Sequence, residues 1–144
     1  VKVLPIDTLL AVAEEARFQH GATRVLALLD ARMDEIYVAD YEFESNQWNN
    51  NGGFELIRPE NLKARNGWVL AGNGFASYDA RLPHGMPRLA ALPTATAMLR
   101  LAPSLIAAGR AVPAEQALPL YIRDKVAKTT DERAAERAAA APAI

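Results

Sequence analysis

The chain has 144 residues, 51% of them apolar and 23% charged, with a formal net charge of −1. That is the composition of one globular domain with a core, neither disordered nor membrane-like, and its balanced charge gives no general pull on nucleic acid beyond what a local basic patch could supply. The absence of cysteine excludes disulfide frameworks and thiolate chemistry.

Residues 7–21 read as a first helix. Leu9, Leu10, Val12, Ala13, Ala16 and Phe18 recur at three-to-four spacing, Asp7 or Thr8 can cap the start, and Gly21 stops it. Glu14, Glu15 and Arg17 are assigned to its outer face. Residues 24–30 (RVLALLD) form a nearly continuous apolar run, as in a strand buried on both faces. Residues 35–43 (EIYVADYEF) alternate, with Tyr37, Ala39, Tyr41 and Phe43 on one face and Ile36, Val38, Asp40 and Glu42 on the other. The intervening ARMD is short enough to make these strands antiparallel neighbours.

The Asn- and Gly-rich residues 44–53 predict a loop or long hairpin turn, followed by a third strand at 54–57. Residues 59–64 read as a short helix entered through Pro59, and 68–71 (WVLA) as a fourth strand. A short helix or turn is expected at 75–81, a loop at 82–93, and a strong helix at 94–108 capped by Thr94 and kinked or broken near 99–102 by Pro103. A turn at 113–116 and an extended stretch at 118–124 complete the body. From about residue 128 the chain is rich in helix formers but has almost no apolar stripe, which predicts a tail that is disordered or weakly helical. Nothing approaches the ~20 apolar residues of a membrane span, and the start, VKVLPIDTLL, lacks a signal-peptide pattern.

This order gives an α/β fold with a mixed sheet: three antiparallel strands plus one parallel strand reached by a right-handed crossover, with flanking helices. It resembles the core of a ribonuclease-H-like lobe.

The residues offer little to catalysis. His20 and His84 are in no ligand spacing; His20 suits a helix C-terminus and His84 an exposed loop. Ser45, Ser77 and Ser104 lack a nucleophile-elbow frame. Asp30, Asp34 and Glu35 flank the first hairpin turn, where acids either converge on a metal or pin the turn through backbone amides, and the turn reading is favoured. With Arg32 between them they form a surface charge cluster able to fix register with a partner. Gly72, Asn73 and Gly74 follow a strand and precede a short helix; a tight turn explains them ahead of an anion site. Trp48, in its polar surroundings, is either a contact hot spot or folded back on the sheet.

Four segments taken together are similar to one family: IDTLLAVAE at residues 6–14, DARMDEIY at 30–37, GNGF at 72–75 and LPLYIRDKVA at 118–127. In order and spacing they resemble the C-terminal lobe of the TsaB (YeaZ-like, glycoprotease-like) family. The hairpin pattern D-A-R-M-x-E-x-Y and the late Y-x-R are the most specific parts. Asp7 departs from the Ser usual there, though either caps a helix. The resemblance covers residues 1–127 and leaves the Ala-rich 128–144 outside it.

The resemblance implies one lobe of the actin/sugar-kinase/Hsp70-like (ASKHA) fold. It also implies a cytoplasmic, non-catalytic scaffold in the formation of N6-threonylcarbamoyladenosine (t6A) in tRNA, without cofactor or metal of its own. The partners would be TsaD-like and TsaE-like proteins, with tRNA met only through the complex. The candidate contacts are the cluster Asp30, Arg32, Asp34, Glu35 and Tyr37, the glycine turn at 72–74, and Tyr121 with Arg123. The family's N-terminal lobe has no counterpart here, so Val1 falls where two lobes would meet and a truncated or proteolysed piece is expected. The first helix would then lose part of its packing partner and cover its apolar stripe with a second copy, giving a homo-oligomer. A peptidase or metal-dependent hydrolase on the same fold is the alternative, and a plain tRNA-binding module a third reading.

Overall fold

The computed structural model describes residues 1–123 and 129–140. A five-stranded sheet carries the fold. β2 (Arg24–Arg32), β3 (Glu35–Glu44) and β4 (Gln47–Ile57) form an antiparallel meander, while β5 (Val69–Gly72) and β6 (Arg88–Ala90) add in parallel, giving the order β4-β3-β2-β5-β6. Five strands therefore stand where four are expected. β6 is three residues long, too short for any periodicity to announce it within the Pro- and Gly-bearing stretch. A separate two-stranded ribbon pairs β1 (Lys2–Val3) with β7 (Val112–Pro113).

The meander is longer than the sequence predicts. Residues 47–53, read as loop, belong to β4, and the turn is only Ser45 and Asn46, both left-handed at φ 51° and 60°. A two-residue turn of that hand matches the twist of paired strands. The asparagines and glycines serve a bulge instead: the register slips between Ala39 and Tyr41, and Asn50 Oδ1 accepts the amides of Gly52 (3.2 Å) and Gly53 (2.9 Å).

The two faces of β3 divide as the alternation predicts. Ala39 and Tyr41 join Val25, Ala27 and the α1 (Thr8–His20) residues Val12, Ala13 and Ala16 in one core. Ile36 and Val38 join Leu26, Leu28 and Leu70 in the other, closed by Tyr78, Leu82 and Met86. Each large side chain buried this way contributes roughly 1.5–3 kcal/mol.

α1 is more deeply buried than predicted. It lies between the sheet and α3 (Ala95–Ala107), and Leu9, Leu10, Val12, Ala13 and Ala16 of its apolar stripe are covered within the chain. Glu14 and Glu15, assigned to the outer face, are 3% and 6% exposed. They are tolerated because each is partnered. Glu14 takes the Arg17 guanidinium at 2.9–3.0 Å, and Glu15 accepts Thr94 Oγ1 and Arg100 Nη2, both at 2.8 Å, and Gln19 Nε2 at 2.6 Å. Phe18 instead points outward at 62% exposure, with the Arg100 guanidinium 3.9 Å from its ring centre. Asp7 occupies the N-cap but its side chain caps nothing; Gly21, at φ 70°, ends the helix as expected.

Thr94 caps α3 through the Ala97 amide at 3.1 Å, as predicted. The helix then runs unbroken through Pro103, whose missing donor falls on the exposed side near the C-terminal end, where the loss costs least. The expected helix at 59–64 is a single 3-10 turn, Pro59–Asn61. α2 (Phe75–Tyr78) runs into a second such turn, Asp79–Arg81. In the predicted tail, α4 (Thr130–Ala140) is helical with every residue exposed. The expectations for residues 124–128 and 141–144 lie outside the described residues. Among those described, no helix is long and apolar enough to cross a membrane.

Candidate functional site

The β2–β3 turn gathers most of the residues singled out from sequence. Arg32, Met33 and Asp34 are all left-handed, at φ 65°, 53° and 66°, and the β2–β3 register shifts between Asp30 and Arg32. A left-handed residue other than glycine costs roughly 1–2 kcal/mol, so three in succession need support from outside the turn.

Asp30 supplies part of it. Its Oδ1 accepts the Arg32 amide at 2.9 Å and the Tyr78 hydroxyl at 2.8 Å. Those two hydrogen bonds, the Arg32 amide foremost, hold the Asp30 carboxyl below its ordinary range, and the bond to Asp30 pushes the Tyr78 hydroxyl up. Asp34 faces outward, paired with Arg81 (Nη2 to Oδ2 2.9 Å) and more loosely with Arg58 (3.7 Å). The hydrogen bond from Arg81 lowers its pKa. The same Arg81 reaches Glu60 at 2.7 Å, so one guanidinium bridges the turn to the 3-10 turn at Pro59–Asn61.

The late motif arrives from the opposite flank. Arg123 donates to the carbonyls of Ala31 (2.7 Å) and Arg32 (3.3 Å) and pairs with Glu35 at 2.9 Å. The two most specific motifs of the sequence are thus one constellation in space. Tyr121 does not join it: it is 86% exposed and lines a groove of about 550 Å³ whose inner wall includes Leu29, Tyr37 and Phe54. A second groove, about 530 Å³, runs from Met33 along residues 54–57 to Ile122 and Arg123.

The glycine turn supports this constellation from below. Gly72 sits at φ 142°, where a Cβ would lie 1.7 Å from the Leu28 carbonyl oxygen; only glycine allows β5 so close to β2 there. Asn73 Oδ1 accepts the Asp30 amide at 2.8 Å, and the Asn73 amide reaches Leu28 O at 3.3 Å. Gly74, at φ 83°, starts the four-residue α2. The amide and side chain of Asn73 are thus both engaged by β2.

Sequence reasoning missed Tyr78, Arg81 and Glu60. Each reaches the turn from a segment with no periodic pattern, and no local signal marks them. Trp48 folds back on the sheet: its ring packs on Phe43 (5.1 Å between centres) and Tyr41 (6.3 Å), and Nε1 points to Glu14 at 3.5 Å. His20 ends α1 and His84 lies in the loop before β6, both exposed. Among the described residues no group of three or more His, Asp or Glu is placed to hold a metal ion.

The site is therefore a charged, conformationally fixed hairpin pole on a mixed α/β sheet. No protein-family model matches the chain. Among curated proteins it is similar to the tRNA threonylcarbamoyladenosine biosynthesis protein TsaB of Escherichia coli K12, with 34% identity over 135 residues covering 87% of this chain and 58% of the relative. The protein of the same name from Haemophilus influenzae is 29% identical over 136 residues, covering 86% and 58%. Among solved structures it is similar to YeaZ from Pseudomonas aeruginosa, with a TM-score of 0.76 and 37% identity over 83% of this chain and 58% of that one. A second, described as an uncharacterized protein with similarity to peptidase YEAZ from Pseudomonas aeruginosa, gives 0.77 and 36% over 85% and 59%.

These likenesses place the chain in the TsaB/YeaZ family, as a C-terminal portion. It spans about 58% of the length of the curated relatives it matches.

Proposed function

We propose that this chain is a non-catalytic scaffold portion of a cytoplasmic TsaB-type subunit in t6A formation, holding a TsaD-like transferase with a TsaE-like protein in the same assembly. The observation that carries the reading is the 34% identity to a named t6A biosynthesis protein over 87% of the chain. The sheet, three antiparallel strands continued by two parallel ones, supports its assignment as one ribonuclease-H-like lobe of the ASKHA fold. The state of the acids supports the scaffold role: Asp34, Glu35 and Glu60 are each paired with an arginine, and Asp30 is engaged by Tyr78 and a backbone amide. Carboxylates held this way fix shape and register.

The test is reconstitution on tRNA with purified partner subunits. The expected result is t6A formation that depends on the protein containing this chain, and none from that protein alone. Turnover without partners, or full transfer when it is omitted, overturns the reading.

A further inference from the structure

Asn51, Asn66 and Asn73 are each followed by glycine. That dipeptide carries a chemistry of its own. The glycine amide nitrogen, once deprotonated, attacks Cγ of the preceding side chain and closes a five-membered succinimide ring. The new N–Cγ bond forms as the Cγ–Nδ2 bond breaks, and the side-chain nitrogen takes up a proton and leaves as ammonia. Water then opens the ring at either carbonyl, leaving aspartate or isoaspartate. Glycine permits the approach because it has no Cβ to obstruct it. All three dipeptides meet this sequence requirement, and their surroundings in the fold decide which reacts.

Asn73 is held away from the reaction. Its Oδ1 accepts the Asp30 amide at 2.8 Å, so the carboxamide must give up that bond before it meets the Gly74 nitrogen. At Asn51 the attacking group is held instead, since the Gly52 amide donates to Asn50 Oδ1 at 3.2 Å. Asp40 Oδ1 also lies 2.7 Å from where a Gly52 Cβ would stand, and a carboxylate that close opposes removal of the amide proton.

Asn66 has neither restraint. It and Gly67 are exposed, at the centre of a turn closed by the Trp68 amide on the Arg65 carbonyl at 3.3 Å, with Gly67 at φ 81°. Among the described residues neither the Asn66 carboxamide nor the Gly67 amide has a hydrogen-bond partner. The nearby charge is of the opposite sign: Arg24 Nη1 lies 3.9 Å from the Gly67 Cβ position. A guanidinium there favours both the amide anion and the oxyanion that develops at Cγ.

We propose that Asn66 is a modification site, converting spontaneously to aspartate and isoaspartate ahead of the two other Asn-Gly pairs. Either product puts a new carboxylate in the turn beside Arg24. Isoaspartate also adds a methylene to the main chain just before β5, the strand that pairs with β2. The reaction needs no partner, so it stands apart from the scaffold reading.

The test is slow incubation of the whole protein at neutral and mildly alkaline pH, folded and in urea. Peptide mapping by mass spectrometry locates the converted residues, and methyl labelling by an isoaspartyl methyltransferase reports isoaspartate. In the folded protein residue 66 should convert at least about fivefold faster than residues 51 and 73, the factor that one retained hydrogen bond implies. In urea the three rates should converge, because the restraints on Asn51 and Asn73 are lost with the fold. Asn66→Gln should remove the leading acidic form, since glutamine must close a less favourable six-membered ring. Conversion of Asn51 or Asn73 first in the folded protein overturns the proposal. So does a spread of rates in urea equal to that of the folded protein, or a leading acidic form that survives Asn66→Gln.

Discussion

Arg123 and Glu35 meet at 2.9 Å across the hairpin turn, while the second arm of the same guanidinium takes the Ala31 carbonyl at 2.7 Å. One side chain thus serves a carboxylate and a backbone acceptor at once, as a planar fork can and a point charge cannot. Arg123→Ala should cost about 1–3 kcal/mol in urea denaturation, because both acceptors lose a charged donor. Arg123→Lys should recover less than half. A loss inside the ~0.5 kcal/mol of ordinary surface changes would remove Arg123 from this role.

Gly72 and Gly74 flank one asparagine but differ in what surrounds them. A Cβ at Gly72 would overlap the Leu28 carbonyl, whereas at Gly74 the nearest atom is the Tyr78 ring edge at 3.4 Å. Gly72→Ala should cost more than about 3 kcal/mol or abolish soluble protein, since backbone must move to admit it. Gly74→Ala should cost only the roughly 1–2 kcal/mol of a left-handed alanine. Equal stability of the two variants would show that the close approach of β5 to β2 is not what requires glycine.

These two cases show what was legible in the sequence. α1, the β2–β3 hairpin, β5 and α3 are patterned over enough residues for periodicity to speak, and their neighbours follow from short connections. The glycine turn and the two motif ends at Asp30 and Arg123 were also visible as residues. Their convergence was not, because Arg123 meets Ala31 and Glu35 only through tertiary folding. Glu14 and Glu15 misled for the same reason: the helix pattern locates an apolar stripe but says nothing of α3 closing over its flank. β4 misled through composition, since asparagine and glycine that ordinarily mark loops here build a bulge.

Acid should destabilise the fold in a definite window. Burial alone would raise the Glu15 pKa, but hydrogen bonds from Thr94, Arg100 and Gln19 outweigh it and hold the carboxyl below its ordinary 4.5. Asp30 is likewise held below 3.8, by the Arg32 amide first. Groups lowered in the folded state contribute stability above their unfolded pKa and lose it as pH falls through the folded one. Thermal melting should therefore decline below about pH 4.5, and Glu15→Gln should flatten that decline while lowering stability at neutral pH. Asp7 opposes the trend: its desolvation raises the pKa against the pull of Arg110, so its folded charge is unfavourable at neutral pH. Asp7→Ser should raise the melting temperature at pH 7 and lose that advantage in acid. An Asp7→Ser protein that melts lower at pH 7 would show that the carboxylate helps α1 more than burial harms it.

Three non-glycine residues in left-handed conformation make the β2–β3 turn more strained than a two-residue hairpin requires. Arg32 and Met33 are exposed, and Met33 makes up part of the groove beside β4. If strain is kept because these side chains must be presented, relieving it should separate stability from binding. Met33→Gly removes a left-handed side chain but adds freedom to the unfolded chain, two effects of about 1 kcal/mol that nearly cancel. It should melt within a few degrees of the parent yet bind the transferase-type partner more weakly. Arg32→Ala should do the same, since Asp30 receives the Arg32 backbone amide and that bond survives the substitution. Both variants would be measured by calorimetry against the partner, with circular dichroism reporting the fold. Wild-type affinity in both would mean that the turn is strained for a reason other than docking, and would leave the Arg123 clamp as a purely structural device.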